Sequence, residues 1–204
     1  MNTSLYKHFL FIGLIALSIS SLKAQSPVPP LFESNVNLKN GTDSLIKAAI
    51  PEADIIIAYR IVGIWRLNKE YKLLCLKQGH WYKYFFDASR PVLSAPYGHA
   101  LTEKATNDST GRMFYDKLLM NNLLAIEDDT RYPACNAKDT VIHGKHVYIS
   151  VGGISDGAEC NIWIITKDRS RFLDFYAPDY YLKYCPPGDR KQALKIIDLF
   201  NNEW

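Results

Sequence analysis

Two blocks of β-branched and aromatic residues constrain the fold of this chain more than any other feature. The first block holds three strand-like runs, DIIIAYRIVGIWRL (residues 54–67), YKLLCLK (71–77) and WYKYFFD (81–87), separated by only a few polar residues. Connections this short join neighbouring antiparallel strands, so the block predicts a β-meander. A second block follows at residues 139–175. The chain must therefore build an antiparallel sheet, or two of them.

Helical patterns lie outside these blocks. Apolar residues follow a 3.6-residue period within residues 109–129, which predicts a central helix. Thr42 or Asp43 is the predicted N-cap of a short helix that Pro51 stops, and the tail predicts another helix from Pro178. The last helix carries one apolar stripe: Ala193, Ile196, Ile197 and Phe200. The sequence thus predicts an α+β fold of antiparallel β-meanders, about six to seven strands, with the central and C-terminal helices packed on the sheet.

The N-terminus has the pattern of a targeting segment. Lys7 precedes an uncharged apolar run at residues 9–20, and Ala24 marks a cleavage site. The run is too short to span a bilayer and is typical of a secretory signal peptide, although retention as an uncleaved anchor is the alternative. We expect export to the periplasm or the extracellular space. The expected division is a signal peptide at 1–24, an extended proline-rich leader at 25–38 and a single globular domain at 39–204.

The net charge of the chain argues against nucleic acid as a partner. The formal net charge is +3, and Lys7 and Lys23 lie in the predicted signal peptide, so the remainder is nearly neutral. A near-neutral chain lacks the basic surface that nucleic-acid binding requires. No later run is long and apolar enough for a transmembrane helix, so no membrane insertion is expected after signal cleavage. Nothing in the sequence indicates a cofactor.

The four cysteines permit two disulfide bridges in an oxidising compartment, with three possible connectivities. Cys75 lies inside an apolar strand and could equally remain a buried free thiol. Cys135 lies in a polar loop and Cys160 at the start of a strand. Cys135 and Cys160 are the predicted pair.

The segment GISDG, residues 153–157, matches the G-x-S-x-G signature of a hydrolase nucleophile elbow, but its surroundings do not. The elbow requires a helix directly after the serine, whereas the residues that follow Gly157 predict a strand. All five histidines precede Ser155, although that hydrolase fold places its histidine downstream. Because Asp-Gly is a strong turn dipeptide, the segment predicts a hairpin turn and no nucleophile.

His143 and His146 are the candidate metal ligands. A two-residue turn at Gly144-Lys145 would bring the imidazoles face to face across a hairpin, whereas a turn at His143-Gly144 would put them out of register. No known zinc spacing supports the pair, so the prediction is a surface hairpin. Three consecutive acids at residues 127–129 lack the spacing of a calcium loop and predict a solvated loop.

Aromatic side chains are the most unusual compositional feature, with 13 tyrosines, nine phenylalanines and four tryptophans. In WYKYFF they alternate between two strand faces, so that Trp81 and Phe85 share one face while Tyr82, Tyr84 and Phe86 share the other. Exposed rings could stack on sugars or dock a protein partner, whereas coverage of both faces would make them core. The candidate ligand-binding residues are Trp81, Tyr82, Tyr84 and His99, the last in a long loop predicted at residues 87–109.

Three functional hypotheses remain. The first is a non-enzymatic exported binding module that recognises an unidentified protein, peptide or glycan through an aromatic-rich surface, since no complete catalytic set is visible. The second is a secreted hydrolase whose catalytic residues, chosen from His99, Glu103 and Asp156, converge from loops. The third is a structural or inhibitory protein without a small-molecule site.

Overall fold

A computed structural model describes residues 32, 41–63, 70–88, 100–129, 138–149, 157–185 and 188–204. The elements in chain order are α1 (Thr42–Ala49), β1 (Ala53–Val62), β2 (Glu70–Lys77), β3 (His80–Asp87), β4 (Ala100–Lys104), α2 (Asp108–Met120), β5 (Lys138–Ile142), β6 (Lys145–Ile149), β7 (Glu159–Thr166), β8 (Ser170–Tyr176), α3 (Pro178–Tyr184) and α4 (Arg190–Asn202). The predicted signal peptide lies outside the described residues. The predicted α+β class is confirmed.

Six of the strands form one antiparallel sheet in the order β4-β3-β2-β1-β7-β8. The predicted meander accounts for β1 to β3, and β7 then pairs with β1 on its other side, so Ile57 lies between Leu74 and Ile164. β5 and β6 form a separate two-stranded hairpin. The sheet therefore ends at β4 on one side and at β8 on the other.

The two faces of the sheet bury different sets of apolar residues. α2 and α4 cover the first face, which we call the helix face, and all four residues of the predicted α4 stripe are buried there. α1 packs on the opposite face, where Ile46 contacts the cluster around Ile56 and Trp163. Fully burying such a side chain stabilises the fold by about 1.5–3 kcal/mol. The helices therefore do not all share one face.

Three lysines fix the end of α4 on the helix face. Lys72, Lys83 and Lys104 come from three neighbouring strands, and each Nζ donates to a main-chain carbonyl oxygen within residues 200–204, at 2.6 Å for Lys72 and 3.3 Å for Lys83. The end of a helix carries unsatisfied carbonyl groups and a partial negative charge, which cations stabilise. Burial lowers the pKa of Lys83, and the charge of Lys104 lowers it further.

The central helix is shorter than the sequence predicts, because it ends in a Schellman motif. Asn122 adopts a left-handed conformation with φ 62°. The main-chain N–H of Asn122 donates to Leu119 at 2.8 Å, and that of Leu123 donates to Leu118 at 3.2 Å. This pair of hydrogen bonds is typical of helices that end at glycine or asparagine. Leu123 and Ile126 remain fully buried beyond it, which explains why the apolar pattern continues past the helix.

The state of the cysteines differs from the predicted disulfide bridge. Cys75 and Cys160 are buried free thiols, so the predicted Cys135–Cys160 disulfide is wrong. Cys160 lies on β7 opposite Ile61 of β1 and joins the core of the helix face. Burial is the largest cause that raises its pKa to about 12, so the thiol stays protonated. Cys185 is disulfide-bonded, and Cys135 lies outside the described residues.

Candidate functional site

Trp81 belongs to the core, so its prediction as a ligand-binding residue is wrong. Only 5% of it is exposed, and its ring packs 4.8 Å from that of Tyr115 on α2. Gly111 permits this close approach, because a Cβ added there would lie 2.3 Å from the Cβ of Trp81. The alternation along β3 directs Trp81 to the helix face, and α2 covers it.

Tyr82 and Tyr84 point to the opposite face, as the alternation predicts. Both side chains are half-buried, and their rings stack with centroids 6.0 Å apart and planes inclined by 16°. They pack against a cluster that includes the fully buried residues Leu73, Cys75 and Phe86. The two phenol rings thus stand on a rigid base and keep part of their surface in water.

Strand β4 extends this surface to the edge of the sheet, within the region predicted as a loop. Glu103 lies opposite Tyr84, and Leu101 lies opposite Phe86. Both residues are exposed, Leu101 to 37%. Because β4 is the last strand on this side, its outer main-chain groups pair with no other strand of the described part. We call Tyr82, Tyr84, Leu101 and Glu103 the tyrosine surface.

Within the described residues, the tyrosine surface carries one negative charge, that of Glu103, that no ion pair neutralises. Glu103 forms no ion pair with any residue in the described ranges. Nearby Lys77 pairs with Glu52 at 2.8 Å and therefore adds no net charge. Burial raises the pKa of Tyr84 to about 12, and Cys75, Glu103 and Tyr82 contribute. The phenol consequently stays neutral at physiological pH.

The residues proposed for a hydrolase are not brought together in the described part of the chain. His99, Ser155 and Asp156 lie outside it, and Glu103 faces a tyrosine. After Gly157 the chain continues into strand β7 from Glu159, as predicted, whereas a nucleophile elbow would start a helix there.

The β5–β6 hairpin shows that the two candidate metal histidines are out of register. His143 and Gly144 form the turn, with φ values of 51° and 78°, and the backbone pairs Ile142 with Lys145 and Val141 with His146. The register that the metal hypothesis for His143 and His146 required, with the turn at Gly144-Lys145, is therefore not the one found. Among the residues that the structure describes, no group of three or more His, Cys, Asp or Glu side chains could hold a metal ion.

A polar cluster across β7 and β8 has no counterpart in the sequence pattern. Asn161 lies opposite Asp174, and its Nδ2 donates to Asp174 Oδ1 at 2.9 Å. Burial raises the pKa of Asp174 to about 6, and the charges of Glu159, Asp128 and Asp129 raise it further. A half-buried carboxyl group with such a pKa can exchange a proton near neutral pH.

Asp128 and Asp129 belong to this cluster, so the prediction of a solvated loop at residues 127–129 is wrong. Asp128 is buried, and Asp129 pairs at 3.0 Å with Arg190, which is 4% exposed. Arg171 of β8 holds the preceding turn by donating to the carbonyl oxygens of Leu124 and Ile126. Burial raises the pKa of Asp129, and the charge of Arg190 opposes that change. These contacts join segments far apart in sequence, so no local pattern could reveal them.

Two further findings bear on function. None of the helices within the described ranges is long and apolar enough to cross a membrane. No protein-family model, curated protein or solved structure matches the chain.

Proposed function

We propose that this protein is an exported, non-enzymatic binding module that recognises a protein or peptide partner through the tyrosine surface. The observation that carries the proposal is the stacked pair of Tyr82 and Tyr84, half-exposed beside an edge strand. Tyrosine combines a large apolar ring with a polar hydroxyl and loses little side-chain entropy on binding. Both properties suit a recognition surface.

The rigidity of the tyrosine pair supports this function. Association costs free energy for every side chain that it immobilises, so rings that are already held in place bind with a smaller entropic loss. Tyr82 and Tyr84 hold each other by stacking, and buried Leu73 and Cys75 lie beneath them. The surface is therefore organised before any partner arrives.

The free edge of β4 favours a peptide over a glycan. Edge strands offer main-chain donors and acceptors that an extended peptide can pair with, while pockets on the sheet read its alternate side chains. The tyrosine surface lies directly beside such an edge, with Leu101 and Glu103 on β4 itself. A glycan could stack on the rings but would not pair with the main-chain groups of β4 as an extended strand does.

A displayed library of random heptapeptides and a glycan array, probed with the full chain, test the proposal. The wild-type protein is expected to enrich a set of peptides, and Tyr82→Ala combined with Tyr84→Ala is expected to lose them. Tyr184→Ala is the matched control, because Tyr184 is 50% exposed at a distant helix end. Equal enrichment by the wild type and the double variant, or none by either, contradicts a binding role for this surface. Selective binding of glycans that depends on both tyrosines would show that the ligand of this surface is a sugar and not a peptide.

A second candidate function, a secreted hydrolase, is favoured by one observation. Asp174 combines partial burial, a bond from Asn161 and a pKa raised to about 6, which are properties of a general acid or base. A screen with ester, peptide and glycoside substrates tests it. Turnover that falls at least about a hundredfold in Asp174→Asn would support the hydrolase, since acid–base groups contribute about 10²–10⁴. No turnover by the wild type would remove it.

A further inference from the structure

We infer that the tyrosine surface selects a cationic side chain, that of lysine or arginine, carried by an extended peptide segment that lies along β4. The inference rests on the proposed function and names the chemistry of its partner. The same geometry also specifies an apolar side chain two residues away from the cation.

The charge of Glu103 favours a cationic partner. Glu103 is an exposed carboxylate with no ion pair to the described residues, whereas Glu52, on the same side of the sheet, is neutralised by Lys77 at 2.8 Å. A bound lysine or arginine would neutralise Glu103. An acidic segment would instead meet a like charge across the strand, which is unfavourable.

The neighbouring rings strengthen this preference. Tyr84 lies directly opposite Glu103, so the two side chains share one face of neighbouring strands about 5 Å apart at Cβ. A cation held by the carboxylate therefore lies within reach of the Tyr84 ring, where the negative face of the π system attracts it. Tyr82, stacked on Tyr84, extends the aromatic surface.

The edge of β4 sets the spacing of the recognised residues. Side chains of an added strand alternate between the two faces, so residues i and i+2 face the tyrosine surface together. A residue opposite Glu103 meets the carboxylate, and the second residue meets Leu101, which is 37% exposed. The expected motif is a basic residue and an apolar residue separated by one position.

The heptapeptide library described above, used with charge variants of the full chain, tests the inference. The wild-type protein is expected to enrich lysine or arginine at one fixed position, two residues from an apolar side chain. Glu103→Gln should weaken the selected peptides up to about fivefold, the loss expected from an exposed ion pair, because the contact with the Tyr84 ring remains. Glu103→Lys should change the enriched residue from basic to acidic. Glu70→Gln is the matched control, because it removes the charge of an exposed glutamate on the helix face of β2, and it should retain the basic preference.

The outcomes separate this inference from the proposed function. Peptides that need Tyr82 and Tyr84 but show no basic preference, or that bind Glu103→Gln as tightly as the wild type, overturn the cation selection and leave the binding module intact. Peptides that bind independently of both tyrosines overturn the binding surface itself. Glu103 is exposed, so circular dichroism is expected to show unchanged folding in each variant at this position.

Discussion

Tyr84 on β3 and Glu103 on β4 lie directly opposite each other at the edge of the six-stranded sheet. The pairing puts a neutral phenol ring beside a carboxylate that forms no ion pair with the described residues, on the face opposite α2 and α4. The neighbouring side chain Trp81 points the other way and lies beneath α2. Strand β3 thus buries Trp81 in the core on one face and presents Tyr82 and Tyr84 at the candidate surface on the other.

The first prediction separates these two roles by stability. Trp81→Ala removes a buried ring next to Tyr115 and should lower the free energy of unfolding by about 3–5 kcal/mol, as large-to-small core substitutions do. Tyr84→Ala removes a half-buried ring at the edge and should cost less. Urea denaturation followed by circular dichroism measures both. Equal losses would show that Tyr84 also belongs to the core.

The second prediction concerns pH. Burial raises the pKa of Asp174 to about 6 from its usual 3.8, so the folded protein binds this proton more tightly than the unfolded chain does. Ionised Asp174 therefore destabilises the fold above about pH 6, and protonation relieves this as the pH falls. Asp174→Asn should raise the free energy of unfolding by about 1 kcal/mol at pH 7.5, discounted for partial solvent exposure, and change little at pH 4.

Other carboxyl groups also make stability depend on pH. Hydrogen bonds from His80 and Trp81 lower the pKa of Asp108, so ionised Asp108 stabilises the fold as the pH rises. Because Asp108 acts equally in the wild type and in the variant, the difference between the two proteins reports Asp174 alone. Asp168→Asn is the matched control, since Asp168 is exposed in the turn between β7 and β8. A stability difference between Asp174→Asn and wild type that stays constant from pH 4 to 7.5 would show that the carboxyl group does not titrate near neutrality.

The third prediction tests the attachment of α4. Lys83→Met keeps the apolar stem but removes the charge that lies 4.5 Å from the Phe114 ring and the hydrogen bond to the carbonyl oxygen of Glu203. We expect a loss of about 1–2 kcal/mol in unfolding free energy, because a helix-terminal carbonyl loses its cation. Lys191→Met, on the exposed side of α4, should change stability by less than about 0.5 kcal/mol. An unfolding free energy of Lys83→Met equal to that of the wild type would show that packing alone holds α4 on the sheet.

The fourth prediction concerns the thiols. Cys75 and Cys160 are free and at most 5% exposed, so a thiol reagent should label neither in the folded protein and both after denaturation without reductant. Cys185 is disulfide-bonded, and Cys135 is the one cysteine left in the sequence to pair with it. Peptide mapping should therefore recover a Cys135–Cys185 peptide. Detection of Cys160 in a bridge would contradict this assignment.

Local patterns predicted most of the elements that carry their own periodicity. The strands of the first block, strand β7 and the stripe of α4 are all found, because each buries apolar side chains in the core. Asp156, at the predicted hairpin turn, lies outside the described residues. Strand β4 was missed, since the first four residues of ALTEK are exposed and an edge strand without a buried face has no apolar alternation. The burial of Trp81 depended on the close packing of α2 at Gly111, which is thirty positions away in the sequence.

Contacts between distant segments account for what the sequence could not predict. The pairing of β7 with β1 joins Ile55 to Thr166, which lie in different blocks of the sequence. Arg171 of β8 and Arg190 of α4 then contact the segment that follows α2, close to Asp174. The opposition of Tyr84 and Glu103 likewise depends on β4. The predicted residues Tyr82 and Tyr84 lie at the candidate surface, but their charged partner appears only in the folded sheet.

The most direct test of this account is the dissociation constant of a library-selected peptide for the wild-type protein and for the variant that carries both Tyr82→Ala and Tyr84→Ala. Isothermal titration should give an affinity at least about tenfold weaker for the variant, since buried aromatic anchors each contribute about 1–2 kcal/mol or more to binding. Circular dichroism should show the same fold in both. An unchanged dissociation constant in the folded double variant would contradict the assignment of binding to the tyrosine surface.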